Sequence, residues 1–476
     1  MARYITTTIA YVNADPHIGY ALELLQADAL ARSWRLAGEE VFFSTGTDEH
    51  GQKIYEAAQK EGRDVQEYVD FYAKRVEDLK GLLNLTPDNF IRTTSEFHKE
   101  AAAEMWRRCD AAGDIYKKAY TGKYCVGCEA YKTEKDLTED GYCALHPSLT
   151  IQIIEEENYF FRLSKYQDRL AEYLSRESSV VPEWRRLEAL NFVNGGLEDF
   201  SISRSKEKLS WGVPVPGDDS QVMYVWFDAL TDYISTLGWP SDTEGLFAKF
   251  WQEGKTLQTA GKDQVRFQSV MWQAMLMSAN IKNTDQVFYH GFINSGGQRM
   301  SKSLGNVISP YELVEKYGVD ATRYLLLRHV HPTEDSDVTW ERLDEWYLAN
   351  LVNGLGNLVA RVMKLAEEYL ETPVERPEAN TLTKEYWKTT EALEFNQALD
   401  MVWTRIQEAD ERVTREEPFK LVKTNPEEGK RIIYELALEL YHLARLLNPF
   451  MPGTSEVIKK AVLDNRKPEN LFPRLA

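Results

Sequence analysis

The chain has 476 residues, more than one hydrophobic core usually holds, so about two to four domains are expected. It is 43% hydrophobic and 28% charged, an ordinary globular composition, and no uninterrupted apolar run approaches the length of a membrane span. The formal net charge of −19 argues against a generic nucleic-acid binder, which needs Lys and Arg against phosphates. A specific RNA docked on a local basic patch remains compatible with it.

The N-terminal "MARYITTTIAYVN" lacks the basic-then-apolar plan of a signal peptide, so a cytoplasmic protein is expected. Residues 4–12 are rich in β-branched and aromatic types and predict a strand. Residues 21–37 predict a helix stopped by Gly38. "EEVFFSTGTDEHG" (39–51) predicts a second strand ending in a polar loop, and 52–62 a further helix. Strand, helix, strand, helix at this spacing predicts an α/β fold built on a parallel sheet. From about 115 to 215, short strands and a cysteine cluster predict a smaller insertion. "MYVWFDALTDYIS" (223–235) and "TLQTAGKDQVRFQSVMWQAMLMSA" (256–279) return to strand then helix. After residue 306 the pattern turns helical, with apolar spacing over 346–368, 385–415 and 427–448, and predicts a C-terminal helix bundle.

Three stretches carry chemistry. "YVNADPHIGYALE" places His17 and Gly19 where a strand passes into a helix. Ligands of open parallel sheets bind near such junctions, and the N–H groups of a helix N-terminus attract anions there. Read alone, it is also a tight turn with a chance histidine. "RMSKSLGN" (299–306) follows "NSGG" and puts Arg299, Ser301 and Lys302 on a loop, a cationic arrangement suited to a pyrophosphate leaving group. Cys125-x2-Cys128-x14-Cys143-x2-His146 supplies three thiolates and an imidazole, a closed tetrahedral set for one structural Zn2+. Cys109 stands apart.

"PHIGY" resembles the HIGH signature, and "RMSKS" the KMSKS signature, of class I aminoacyl-tRNA synthetases, in the family's order and about 280 residues apart. "AYVNADPHIGYALE", "FSTGTDEHGQKI", "YVWFDALTDYI", "GKDQVRF" and "RMSKSLGNVISPYELVEKYGVDATRYLLLR" resemble the methionyl branch over essentially the whole chain. The insertion is too short for the large editing domain of the valine, isoleucine and leucine enzymes. The final "NLFPRLA" resembles the end of the family's minimal form, which implies a monomer.

The resemblance implies a Rossmann-like catalytic domain with a zinc-binding connective insertion and a C-terminal α-helical bundle. Its parts would be the catalytic domain over 1–115 and 221–290, the insertion over 116–220, the signature loop and stem-contact region over 291–345, and the anticodon-binding domain over 346–476. It implies activation of methionine by ATP with Mg2+, then transfer to tRNA(Met), the initiator included. His17, Lys302 and Arg299 would be catalytic. Gly19, Tyr20, Asp263 and Ser301 would join them in binding ATP. Asp48 would hold the methionine ammonium, and Ile9, Tyr11, Trp226, Ala229, Tyr233, Phe267 and Gln268 would line the side-chain pocket. Asn357, Arg361 and Phe419 would meet the anticodon.

The chain departs from the family pattern at three of these positions. Tyr20 replaces the second His of the signature, Gln268 a His near the methionine sulfur, and Phe419 a stacking Trp. The competing expectations are a tRNA-binding relative with impaired catalysis and the same chemistry on cysteine.

Overall fold

The computed structural model describes residues 2–475 apart from 129, 133–135, 243, 301–304 and 378–382. Ser301 and Lys302 therefore lie outside the described residues. The chain forms two compact units. One comprises Met1–Pro16, Glu39–Leu79 and Pro87–Tyr289; the other comprises His17–Gly38, Lys80–Thr86 and His290–Ala476.

The first unit is built on a seven-stranded sheet. Its order is Ala10–Tyr11, Glu40–Asp48, Ala2–Thr6, Lys255–Gly261, Gln286–His290 and Val180–Val181, with Asn89–Arg92 also paired to Glu40–Asp48. Ala2–Thr6 runs parallel to Glu40–Asp48 on one side and to Lys255–Gly261 on the other. The chain thus leaves the first strand in one direction and returns on its other flank, which creates a topological switch point at the carboxyl end of Ala2–Thr6. Residues 4–12 form two strands instead of the single one expected, Ala2–Thr6 and Ala10–Tyr11. The break at Thr7–Ile9 sits at that switch point, where Thr8 N–H donates to Thr259 O at 3.1 Å. The core behind the sheet is aromatic: Tyr4, Trp251 and Trp272 pack edge to face within 6.0 Å, and Tyr4 O–H donates to the Tyr233 carbonyl at 2.8 Å.

The expected insertion is an antiparallel sheet ordered Ala130–Lys132, Ile115–Cys125, Gln152–Phe161 and Phe200–Ser201. The cysteine cluster follows the end of the Ile115–Cys125 strand.

In the second unit, the helix Ile18–Leu36 starts three residues earlier than its apolar pattern implied, because His17 caps it. Most of its side chains are buried, including Glu23, Gln26 and Asp28, and each of these three makes at least one hydrogen bond or ion pair. Glu23 Oε2 lies 2.9 Å from His290 Nε2, and Gln26 donates to Pro332 O. Asp28 meets Arg323 at 2.7 Å. Arg323 is fully buried, and its guanidinium also donates to the carbonyls of Leu83, Pro449 and Phe450. One planar fork thus ties the helix to the 80–86 segment and to the end of the Pro426–Leu447 helix. Beside it the Asp28 carboxyl stays below its usual range; burial alone would raise it, and Arg323 and then Arg32 outweigh burial.

The bundle differs in detail from its apolar spacing. Residues 347–356 take a π-helical form before Asn357–Tyr369. The 385–415 stretch is two helices, Lys384–Glu391 and Phe395–Glu416, broken where Leu393 takes a left-handed φ of 61°. Periodicity does not register such breaks, because the apolar face continues across them.

Candidate active site

His17 takes an extended conformation at the helix N-terminus, and its Nδ1 accepts the Gly19 N–H at 3.0 Å. An imidazole therefore does the work of a capping Ser or Asp. Because Nδ1 accepts, the ring proton is on Nε2, which becomes a directed donor beside the positive helix end. Gly19 is needed for this geometry: a Cβ there would lie 2.9 Å from His17 Cε1. Ile18 N–H donates to Ile308 O at 3.3 Å, which joins the His17 turn to the segment just after the signature loop. Tyr20 follows, half-buried, on the first turn.

Arg299 ends a short strand, Gln298–Arg299, that hairpins onto Ile293–Ser295 through Gly296 and Gly297, both at positive φ. The "NSGG" stretch is thus a tight turn. The Arg299 guanidinium stands 4.7 Å from the centre of the Phe292 ring, and Asn306 Nδ2 donates to Arg299 O at 3.4 Å.

In the first unit, Ile9 lies in the gap at the switch point. Asp48, buried, ends the strand beside it and is in register with Tyr11. Asp263 is exposed on the turn that follows the strand on the other flank. The helix Val225–Ala229 carries Trp226 and Ala229, and the next turn carries Tyr233. Trp226 stacks on Phe267, with ring centroids 3.8 Å apart and planes 15° from parallel. Gln268 is buried and donates from Nε2 to the Tyr233 hydroxyl oxygen at 2.7 Å. In that bond the phenol oxygen is the acceptor and the Gln268 amide the donor.

A buried network stands behind these residues. His50 Nδ1 lies 2.6 Å from Asp228 Oδ2, His98 Nε2 lies 2.8 Å from Asp228 Oδ1, and His98 Nδ1 lies 2.9 Å from Ser235 Oγ. Glu49, between Asp48 and His50, is fully buried; Arg92 contacts both its oxygens, at 2.6 and 2.9 Å, and Trp211 donates to its carbonyl at 2.6 Å. The loop bearing Asp48 is thus fixed from both sides. Sequence reasoning passed over His50, His98, Glu49, Arg92 and Asp228. Asp228 stood inside a quoted motif as a polar residue in apolar surroundings and His50 inside another in a polar loop, whereas His98 gave no signal.

Asp232, one turn from Asp228, is buried, and among the described residues no side chain donates to either of its carboxyl oxygens. Burial, with Asp228 adding to it, pushes its carboxyl well above the ordinary range.

Cys125, Cys128, Cys143 and His146 converge, their ligand atoms all within 4.8 Å of one another. Cys128 Sγ lies 3.5 Å from Cys143 Sγ and 3.2 Å from His146 Nδ1, and Cys125 Sγ lies 3.8 Å from the same nitrogen. A tetrahedral Zn2+ with bonds of about 2.0–2.3 Å separates its ligands by about 3.5–3.8 Å, so the set fits one zinc ion through His146 Nδ1. Gly127 makes the closure possible, since a Cβ there would lie 2.6 Å from His146 Cγ. Asp136 in the same knuckle accepts from Arg266 at 3.1 Å, and Arg266 directly precedes Phe267. Cys109 is outside the set and buried, which pushes its thiol up to about 12 and leaves it inert.

In the second unit, Asn357 is exposed at the start of its helix, Arg361 pairs with Asp410 at 2.7 Å, and Phe419 is exposed with Lys420 over its ring.

The family model described as tRNA synthetases class I (M) matches residues 3–146 and 139–363. The chain belongs to the class I methionyl-tRNA synthetase family. It is 41% identical over 469 residues to a methionine–tRNA ligase of Rhizobium meliloti, covering 95% of this chain and 90% of that one. It is 39% identical to the Thermotoga maritima methionine–tRNA ligase, covering 98% and 76%. Mycobacterium tuberculosis methionyl-tRNA synthetase, solved in complex with methionyl-adenylate, superposes with a TM-score of 0.89 at 35% identity, covering 100% of this chain and 98% of that one. The parallel sheet, the Cys3His insertion and the C-terminal helices are those expected of a methionyl-tRNA synthetase. Among the described residues no helix is long and apolar enough to cross a membrane.

Proposed function

We propose that this chain is a methionine–tRNA ligase that forms methionyl-adenylate from L-methionine and ATP, then transfers the methionyl group to the 3′ end of tRNA(Met), the initiator included. The observation that carries this reading is the full-length likeness to a structure holding methionyl-adenylate. In the first step a methionine carboxylate oxygen bonds to the α-phosphorus, and the α–β bridging P–O bond breaks to release pyrophosphate. In the second, a terminal ribose hydroxyl of tRNA attacks the carbonyl, loses its proton and displaces AMP. Neither step needs a covalent nucleophile from the protein. Positioning and charge stabilisation supply the rate, and Mg2+ accompanying ATP offsets phosphate charge.

The roles follow from the chemistry of each group. His17, through Nε2–H, and Arg299 with Lys302 meet the phosphates. Gly19, Tyr20, Asp263 and Ser301 complete the ATP contacts. Asp48 binds the methionine ammonium. Ile9, Tyr11, Trp226, Ala229 and Phe267 shape the thioether pocket, where stacked aromatic rings suit a polarisable sulfur. Shape alone separates side chains by only about 1–3 kcal/mol per methylene, so the hydrogen-bonded pair Gln268–Tyr233 supplies the polar side of the discrimination. Asn357, Arg361 and Phe419 read the anticodon, Phe419 by stacking. The zinc is structural. The domain parts lie over 1–115, 116–220, 221–290, 291–345 and 346–476, and the protein acts as a cytoplasmic monomer.

ATP–pyrophosphate exchange across methionine, cysteine, leucine, isoleucine and valine tests this reading. Exchange with methionine alone supports it. Exchange with cysteine, or with no amino acid in folded zinc-replete protein, overturns it.

A further inference from the structure

A cavity of about 440 Å³ opens within the second unit, where the end of the helix Ile18–Leu36 meets the helices Pro426–Leu447 and Pro452–Leu463. Its wall includes Arg376, Tyr441, Arg445, Asn448, Lys459 and Leu36. Three of these are cations, and among the described residues no carboxylate lines the wall, in a chain whose formal charge is −19. Converging like charges repel unless an anion joins them.

Ordinary structural roles account for part of the set. Lys459 pairs with Glu456 one turn earlier, and Arg445 sits in the last turn of its helix, where a cation complements the dipole. Arg376 and Tyr441 are not accounted for in this way. Arg376 is exposed on the cavity wall and makes no ion pair among the described residues. Tyr441 is 97% buried (3% exposed), and its hydroxyl makes no hydrogen bond among the described residues. The Asn448 side-chain amide likewise has none among the described residues. None of these groups is among those assigned to methionine, ATP or the anticodon.

We propose that this cavity binds the phosphate of a nucleotide-sized ligand, either one nucleotide of a docked tRNA or a free mononucleotide. The guanidinium of Arg376 offers a fork that matches phosphate oxygens, Lys459 adds a point charge, and the Tyr441 O–H and Asn448 amide complete a donor set. The volume lies in the range of pockets that hold small ligands, about 300–1,000 Å³, and exceeds what a bare phosphate fills.

The test uses the full chain, with the double variant Arg376→Glu/Lys459→Glu and, separately, Tyr441→Phe. Two quantities are read: the dissociation constant of GMP by titration calorimetry, and KM for tRNA in aminoacylation. ATP–pyrophosphate exchange without tRNA reports independently on the fold and on the methionine-activating reading. The double variant is expected to weaken one of the two by about tenfold or more, the loss typical of charge-assisted hydrogen bonds. Tyr441→Phe is expected to weaken the same one by about threefold, with exchange within about twofold of wild type. A GMP effect identifies a free nucleotide as the ligand, and a tRNA effect identifies the RNA backbone. Both quantities unchanged overturn the proposal. So does an effect confined to the charge reversals, because Tyr441→Phe changes no charge and long-range attraction would then explain the result.

Discussion

Asp228 joins two histidines from separate segments: His50 at 2.6 Å and His98 at 2.8 Å, all three buried. His50 follows the strand that ends in Asp48, while Asp228 shares a helix with Trp226 and Ala229. The cluster therefore locks together the loop assigned to the methionine ammonium and the helix assigned to its side chain. Asp228→Asn should raise KM for methionine in pyrophosphate exchange by about tenfold, because a small displacement of a positioned group is enough for such a loss. KM for ATP should stay within about twofold. Equal shifts in both would show a general loss of fold.

Asp228 and Asp232 respond to pH in opposite directions. Burial would raise Asp228, but His50 and then His98 outweigh it and bring its carboxyl to about 2. An unfolded carboxyl titrates near about 3.9, so this stabilisation is fully present above that pH and disappears as pH falls toward 2. It amounts to about 2 kcal/mol. Asp232 is raised by burial, so its folded form binds a proton that the unfolded chain has released, and stability falls as pH rises above about 4. Urea midpoints at pH 3 to 8 should therefore show Asp228→Asn converging on wild type in acid. Asp232→Asn should exceed wild type at pH 8, and a midpoint below wild type there would contradict the burial argument.

Gly19→Ala puts a methyl group 2.9 Å from the His17 ring. The imidazole must leave its capping position, and the Nε2 donor goes with it. Loss of one preorganised donor to a developing charge commonly lowers kcat by about a hundredfold. Exchange kcat should fall to that degree while the thermal midpoint moves little, since alanine favours the helix. Unchanged kcat would remove His17 from the reaction.

Arg323→Met should destabilise the second unit by about 3 kcal/mol, because Asp28 would stay buried with only Arg32 and Thr86 as partners. Arg323→Met combined with Asp28→Leu should recover only part of that loss, since the buried carboxylate is gone but Arg32 then lacks its Asp28 partner. Thermal melts of both variants decide it, and a double variant no better than the single would locate the energy in the carbonyl contacts.

Zinc content should be one ion per chain by elemental analysis, and Cys128→Ser should lose most of it. Hydrogen exchange should then accelerate over 115–161, the strands that carry the knuckle. Because Asp136 holds Arg266 beside Phe267, KM for methionine should rise about two- to fivefold, the scale of one partly exposed charged contact. Full zinc retention in the variant would contradict the four-ligand assignment.

Much of this was legible in the chain itself, for a physical reason in each case. The strand–helix alternation, the CxxC…CxxH spacing and the PHIGY and RMSKS strings are local, and local patterns fix local geometry: a cap, a turn, a ligand set. Helix and strand types were therefore readable. Their interruptions at Thr7–Ile9, at 347–356 and at Leu393 were not, because an apolar face runs unbroken across a change of backbone form. Contacts between distant segments were also out of reach. Nothing near His98 signals Asp228 130 residues away, and nothing near Arg323 signals Asp28 295 residues away. The sequence by itself determined the family, the chemistry on offer and the residues able to perform it. Only the tertiary structure decided which polar side chains would be buried, and burial is what compels His50, His98, Asp228, Asp28 and Arg323 to find one another, since a buried charge without a partner is too costly to keep.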